Sequence, residues 1–124
     1  MIQPSHEDTM LIRSFLELPY LLTLIQINIR KITASDLKMK ELFVLYLERL
    51  QDEVTKEITD IKRNMRANGL KILETWEMDD RLRAEYLCRG YKFEMMLLWS
   101  KVKVDTEIKL SELMEVDIKK INRQ

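Results

Sequence analysis

The sequence predicts a mainly α protein, a bundle of three long helices with a short β-hairpin, about residues 70–89, ahead of the last one. Three observations carry that expectation. Between residues 36 and 68, Met39, Phe43, Leu47, Leu50, Val54, Ile58, Ile61 and Met65 follow one another by three or four, the spacing that lines up one helical face. Residues 5–30 and 91–116 hold further apolar positions at helical spacing. Between them the period changes to two, as in a half-buried strand pair. With 124 residues, the chain has the size of one domain that can hold a core without staples.

The first helix, 5–30, starts at Ser5, whose hydroxyl can cap it, with Glu7 and Asp8 in the first turn. Leu11, Phe15, Leu18, Leu22, Ile25, Ile29 and Ile32 alternate steps of four and three, a heptad seam. Pro19 falls inside it and is expected to kink the helix, at a cost of about 3 kcal/mol that packing must offset. Leu16, Tyr20, Leu21, Leu24 and Ile27 lie off the seam. So wide a stripe means either a central helix or a second face that meets another subunit.

Thr33-Ala34-Ser35 makes a short connection, which implies antiparallel neighbours, with Ser35 or Asp36 capping the second helix, 36–68. Lys40, Glu41, Glu48, Gln51, Asp52, Lys56 and Asp60 give that helix its solvent face, and Gly69 supplies the αL-tolerant stop. Its mean step is nearer the 3.6 residues of a plain helix than the 3.5 of a zipper.

In the hairpin, Ile72, Trp76, Met78, Leu82, Ala84, Tyr86 and Cys88 fall on even positions, and Lys71, Thr75, Glu77, Arg81, Arg83, Glu85 and Arg89 on odd ones. Paired residues share a face, so even must face even. That excludes a two-residue Asp79-Asp80 turn and favours a loop Asp79-Asp80-Arg81, with Met78 opposite Leu82 and Trp76 opposite Ala84. Leu82, Tyr86, Phe93 and Leu97 also fit helical spacing in part, so a helix from Asp79 stands as the alternative. Gly90 then permits a sharp turn into the last helix, 91–116, whose Met95-Met96-Leu97-Leu98-Trp99 run is apolar on several sides. Residues 119–124 are expected to fray.

Composition bounds the function. Apolar residues make 46% and charged residues 34% of the chain, and 21 basic side chains cancel 21 acidic ones, so net charge gives no argument for nucleic acid or membrane. Cys88 is the one cysteine, which excludes an intrachain disulfide and suits a reducing cytoplasm. The start lacks the basic and apolar regions of a signal peptide. Pro19, Gln26 and Asn28 interrupt the apolar stretch 18–29, which falls short of the roughly 20 residues of a membrane span.

Chemistry-bearing patterns are sparse. His6 is the one histidine and has no partner at ligand spacing. Glu48 and Asp52 share a helix face without the Glu-x-x-His of carboxylate metal sites. Cys88 falls on the apolar parity, where cysteine acts as a small hydrophobe. Glycine at 69 and 90 alone leaves no phosphate-binding loop or nucleophile elbow. We therefore expect no enzyme and assign no catalytic, cofactor-binding or metal residue. The eight methionines read mostly as core filling.

Two surfaces remain. The surplus apolar face of the first helix, formed by Leu18, Tyr20, Leu21, Leu22, Leu24, Ile25 and Ile29, points to a protein-binding adaptor that forms a homo-oligomer. The alternative is a nucleic-acid-binding regulator acting through Lys62, Arg63, Arg66, Lys71, Arg81, Arg83 and Arg89, a helix end and strand face that could offer several phosphate contacts.

At Leu18-Pro19-Tyr20-Leu21-Leu22, at Lys62-Arg63-Asn64-Met65-Arg66 with Gly69-Leu70-Lys71-Ile72, and at Tyr86-Leu87-Cys88-Arg89-Gly90-Tyr91 with Leu98-Trp99-Ser100, the sequence resembles a family of small uncharacterised proteins of Gram-positive bacteria. The resemblance spans most of residues 10–105. Its members carry no assigned activity, so it implies a shared fold and a cytoplasmic setting and transfers no site.

Overall fold

The computed structural model describes residues 3–121. Its elements are α1 (His6–Thr33), α2 (Lys40–Ala67), β1 (Leu70–Glu77), β2 (Arg81–Cys88), β3 (Tyr91–Leu98) and α3 (Trp99–Met114), followed by a short 3-10 turn, Ile118–Lys120. The strands form one antiparallel meander in the order β1-β2-β3. This is an α+β fold, which corrects the three-helix bundle: the first third of the expected last helix is a strand.

α1 begins as its residues dictate. Ser5 Oγ accepts from Asp8 N (3.0 Å) while Asp8 Oδ2 accepts from Ser5 N (2.9 Å), a reciprocal capping box. The helix then continues through Pro19 to Thr33, three residues past the expected end. Its buried apolar side chains are Ile12, Leu16, Leu18, Leu21, Ile25 and Ile29, so the heptad seam is not the buried line: Leu11, Phe15, Leu22 and Ile32 are only half-buried. α1 is central in its first half, where apolar residues on several faces are covered.

α2 packs antiparallel along α1 and buries Leu50, Val54, Ile61 and Met65. It starts four residues later than expected, after Met39 in the left-handed conformation (φ 59°), with no side-chain cap. Ser35 instead serves α1, its hydroxyl donating to Ile32 O (2.6 Å). Gly69 ends α2 at φ +69° as its position predicts.

The hairpin strands form, but their pairing departs from strict parity. Leu70 and Ile72 face Cys88 and Tyr86; then Leu73 bulges, and Glu74, Thr75, Trp76 and Glu77 face Glu85, Ala84, Arg83 and Leu82. One extra residue on β1 flips every later side chain to the other face. The bulge permits what uniform alternation excluded: a two-residue Asp79-Asp80 turn, closed by Met78 N donating to Arg81 O (2.8 Å). Trp76 therefore lies on the outer face, its ring 4.4 Å from the Arg83 guanidinium carbon.

Gly90 does not lead into a helix. With Arg89 (φ 49°) and Gly90 (φ 89°) both left-handed, the pair forms a two-residue turn between Cys88 and Tyr91, the backbone that the twist of a hairpin favours. β3 places Phe93, Met95 and Leu97 across from Tyr86, Ala84 and Leu82 on the inner face. The expected fraying of 119–124 gives way at its start to the 3-10 turn, and residues 122–124 lie outside the described residues.

Two bonds hold the start of α3 to the first turn: Trp99 N donates to Asp80 O (3.0 Å), and Trp99 Nε1 to Met78 O (2.7 Å). The Trp99 ring meets Tyr20 edge-on at 5.3 Å, and the Tyr20 hydroxyl donates to Glu77 Oε1 (2.6 Å). Of the seven described methionines, Met65 is buried and Met95 and Met114 pack against the core, whereas Met10, Met39, Met78 and Met96 are exposed, so core filling accounts for only some of them.

Candidate interaction surfaces

The apolar face expected to meet another subunit divides in two. Leu18, Leu21, Ile25 and Ile29 belong to the chain's own core, and Tyr20 and Leu22 pack against it half-buried. Only Leu24, 45% exposed, remains on the surface. It continues a stripe at i,i+4 spacing from Ile12 through Leu16 and Tyr20, which residues of the sheet and Trp99 cover as far as Tyr20. Beyond Tyr20 that cover ends.

The α1–α2 hairpin thus projects past the sheet. Gln51 Nε2 donates to Gln26 Oε1 (2.9 Å) on one of its sides. By helical phase, Leu24 of α1 and Leu42 of α2 share the opposite side, while Ile27 and Leu45 turn outward from the pair, and all four are exposed. Leu37, Met39 and Phe43 at the tip are exposed as well. Phe43 and Met39 keep the phase of the α2 core, but the core has run out beneath them. The sequence analysis placed the surplus on α1 and missed α2's share, because Leu42 and Leu45 stand off the core phase that defined that helix.

The basic set is dispersed. Arg81 pairs with Asp80 (2.8 Å), Arg83 with Glu94 (3.1 Å), Arg63 with Asp60 (3.2 Å), and Arg89 with Asp8. Glu85 adds to the outer sheet face by taking Lys92 at 3.4 Å. That face is a network of alternating charges, not the basic wing that odd parity suggested. Lys62, Arg66 and Lys71 come together at the junction of α2 and β1.

Two buried polar clusters escaped the sequence reading. In the first, Asp8 is 3% exposed and accepts from Arg89 Nη2 at 2.5 Å. The Arg89 guanidinium, aided by Ser5, holds the Asp8 carboxyl at about 2, against the desolvation of its site. Cys88 Sγ lies 3.7 Å from the same oxygen. Burial pushes the thiol up, and Asp8 adds to that against the opposing pull of Arg89, which suits a packed cysteine rather than a nucleophile.

In the second, Glu17 of α1 faces Asp105 of α3 beside a cavity of about 190 Å³. Glu17 is 7% exposed, and burial together with the hydrogen bond to Asp105 pushes its carboxyl up to about 8. Asp105 goes the other way: desolvation opposes ionisation, but the bond from Glu17 and the ammonium of Lys101 at 2.9 Å outweigh it. Glu17 Oε2 and Asp105 Oδ2 are buried without another hydrogen-bond partner among the described residues. A proton kept by Glu17 turns one of these acceptors into a donor to the other and satisfies both atoms. No sequence spacing signals the pair, because it joins two helices separated by the whole sheet.

By length and composition α1 is apolar enough to cross a membrane, with mean hydropathy 1.4 over its most apolar window. Among the comparisons with known proteins, no curated protein and no solved structure matches the chain. The model of one protein family, described as YhjD protein, matches residues 3–118, nearly the full length; the chain belongs to the YhjD protein family.

Proposed function

We propose that the protein is a non-catalytic interaction module that self-associates, and docks a protein partner, through the projecting end of the α1–α2 hairpin. One observation carries this reading: Leu24, Ile27, Leu42 and Leu45 cluster at the projecting end of the hairpin, on both of its helices, each 36–62% exposed. Covering an aliphatic side chain of this size completely is worth about 1.5–3 kcal/mol, so even partial further burial of four gives a contact its centre. A second copy of the chain brings the same four residues, the self-complementary arrangement of a two-fold dimer. The charged sheet face sets solubility and partner choice.

The reading goes with a cytoplasmic setting, which the single free thiol of Cys88 favours, and with the Gram-positive bacterial source that the resemblance implies. The test is charge substitution at Leu42 and Leu45. Both side chains stand clear of the core, so Leu42→Asp and Leu45→Asp abolish association and leave helicity unchanged. Association that survives both substitutions contradicts the assignment.

A further inference from the structure

Lys62, Arg66 and Lys71 make no ion pair with a described residue, yet they line one hollow of about 500 Å³ between the end of α2, the start of β1 and α1. Phe15, Ile72 and Leu87, each half-buried, supply its apolar surface above the buried Leu70, and no acidic side chain lines it among the described residues. The Lys62 ammonium stands 6.0 Å from the centre of the Phe15 ring.

Folding alone does not account for this arrangement. Lys62 and Arg66 are one helical turn apart, a like-charge spacing that opposes the helix. The dipole at the end of α2 compensates those two, but it does not explain Lys71, which stands on a strand, or the apolar surface the three cations surround. Of the other cations in the expected basic set, Arg63, Arg81, Arg83 and Arg89 each have a carboxylate. Here three cations share none. An anion would relieve their repulsion, and an apolar body attached to it would cover the hollow's surface. The volume falls within the range of about 300–1,000 Å³ that small-molecule sites occupy.

We propose that this hollow binds a small amphiphilic anion free in solution, its carboxylate or phosphate head held by Lys62, Arg66 and Lys71 and its acyl or aryl body laid on Phe15, Ile72 and Leu87. The site is independent of the hairpin tip and stands or falls separately from it.

The test is an NMR titration of the full ¹⁵N-labelled chain with monomeric dodecanoate, read at the amides of Gly69 and Gly90, which line the hollow. Saturable one-to-one shifts at both glycines are expected. Lys62→Gln/Lys71→Gln, checked for an unchanged circular dichroism spectrum, should weaken binding about tenfold. Acetate, inorganic phosphate and dodecyltrimethylammonium should each bind at least tenfold more weakly than dodecanoate. The proposal is overturned by absent shifts at Gly69 and Gly90, or by equal binding to the double variant. Phosphate that binds as tightly as dodecanoate marks an adventitious ion only, and overturns it too. So does dodecyltrimethylammonium of equal affinity, which marks a non-specific apolar surface, or binding confined to phosphatidylglycerol vesicles, which marks a lipid surface.

Discussion

Arg89 and Asp8 stand 81 positions apart in sequence and 2.5 Å apart in space. Through that contact the β2–β3 turn grips the first turn of α1. The same guanidinium donates Nη1 to Asn68 O (2.8 Å) at the end of α2, and Arg89 N donates to Gly69 O (2.8 Å). One side chain thus joins three elements.

Replacing Arg89 by Asn keeps a residue that tolerates the left-handed backbone and removes the clamp. We expect a loss of about 1–3 kcal/mol in denaturant unfolding. A fully buried pair would cost about 3–5 kcal/mol, but the Arg89 side chain is 38% exposed and solvent screens part of it. The pH profile gives a second check. Because Asp8 is held at about 2, its stabilisation is complete above the ordinary 3.8 and is lost as pH falls through 2. Arg89→Asn should flatten that acid limb.

Glu17 has the opposite sign. Its carboxyl rises from an ordinary 4.5 to about 8, so the folded chain keeps a proton that the unfolded chain releases. The stabilisation is full below 4.5 and is lost as pH climbs through 8, with a slope of at most about 1.4 kcal/mol per pH unit. The groups facing this site are Arg13 on α1, Glu57 on α2, and Lys101, Asp105, Lys109 and Glu112 on α3. Glu17→Gln offers Asp105 a permanent donor without a titrating proton. Unfolding measured from pH 5 to 9 should show a falling wild-type stability and a flatter variant; parallel profiles contradict the proton kept by Glu17.

The two glycines should differ in what a methyl group costs. Both have positive φ, so alanine at either meets backbone strain of about 1–2 kcal/mol. At Gly69 a Cβ would also stand 3.0 Å from Arg89 Cγ, whereas at Gly90 it meets nothing within 4 Å. Gly69→Ala should therefore lower the melting temperature further than Gly90→Ala. The reverse order contradicts the close packing of Arg89 over the end of α2.

Local signals were legible where one element decides them: the Ser5–Asp8 cap, the Gly69 stop, the α2 core from Leu50 to Met65, and the even-position burial of Leu82, Ala84, Tyr86 and Cys88. β3 was hidden because Met96 and Leu98 put apolar side chains on its solvent side. They masked the alternation of Phe93, Met95 and Leu97 and made the segment resemble a buried helix. The Leu73 bulge changed parity within β1, and no residue type marks it. The surfaces were less legible still. Leu21 and Leu24 look alike in sequence, but one is 1% and the other 45% exposed, because Leu21 shares the buried phase of Leu18, Ile25 and Ile29 while Leu24 continues the stripe of Tyr20 beyond the end of the sheet. Arg83 and Lys71 likewise share a parity, and the pairing of β2 with β3 gives Arg83 its nearest carboxylate, that of Glu94.

The hollow beside Gly69 and the hairpin tip lie at different ends of α2, so the two assignments separate cleanly by mutation. Lys71→Gln should leave self-association unchanged, and Leu45→Asp should leave the dodecanoate response of Gly69 unchanged. Crossed effects in either direction contradict independent sites.

The most direct measurement is sedimentation velocity of the wild-type chain over a hundredfold concentration range, beside Leu42→Asp/Leu45→Asp. The account predicts a wild-type sedimentation coefficient that rises with concentration towards a dimer and a double variant that stays monomeric with the same helicity. A wild-type chain that remains a monomer throughout, or a variant that associates equally well, would contradict self-association through the projecting hairpin.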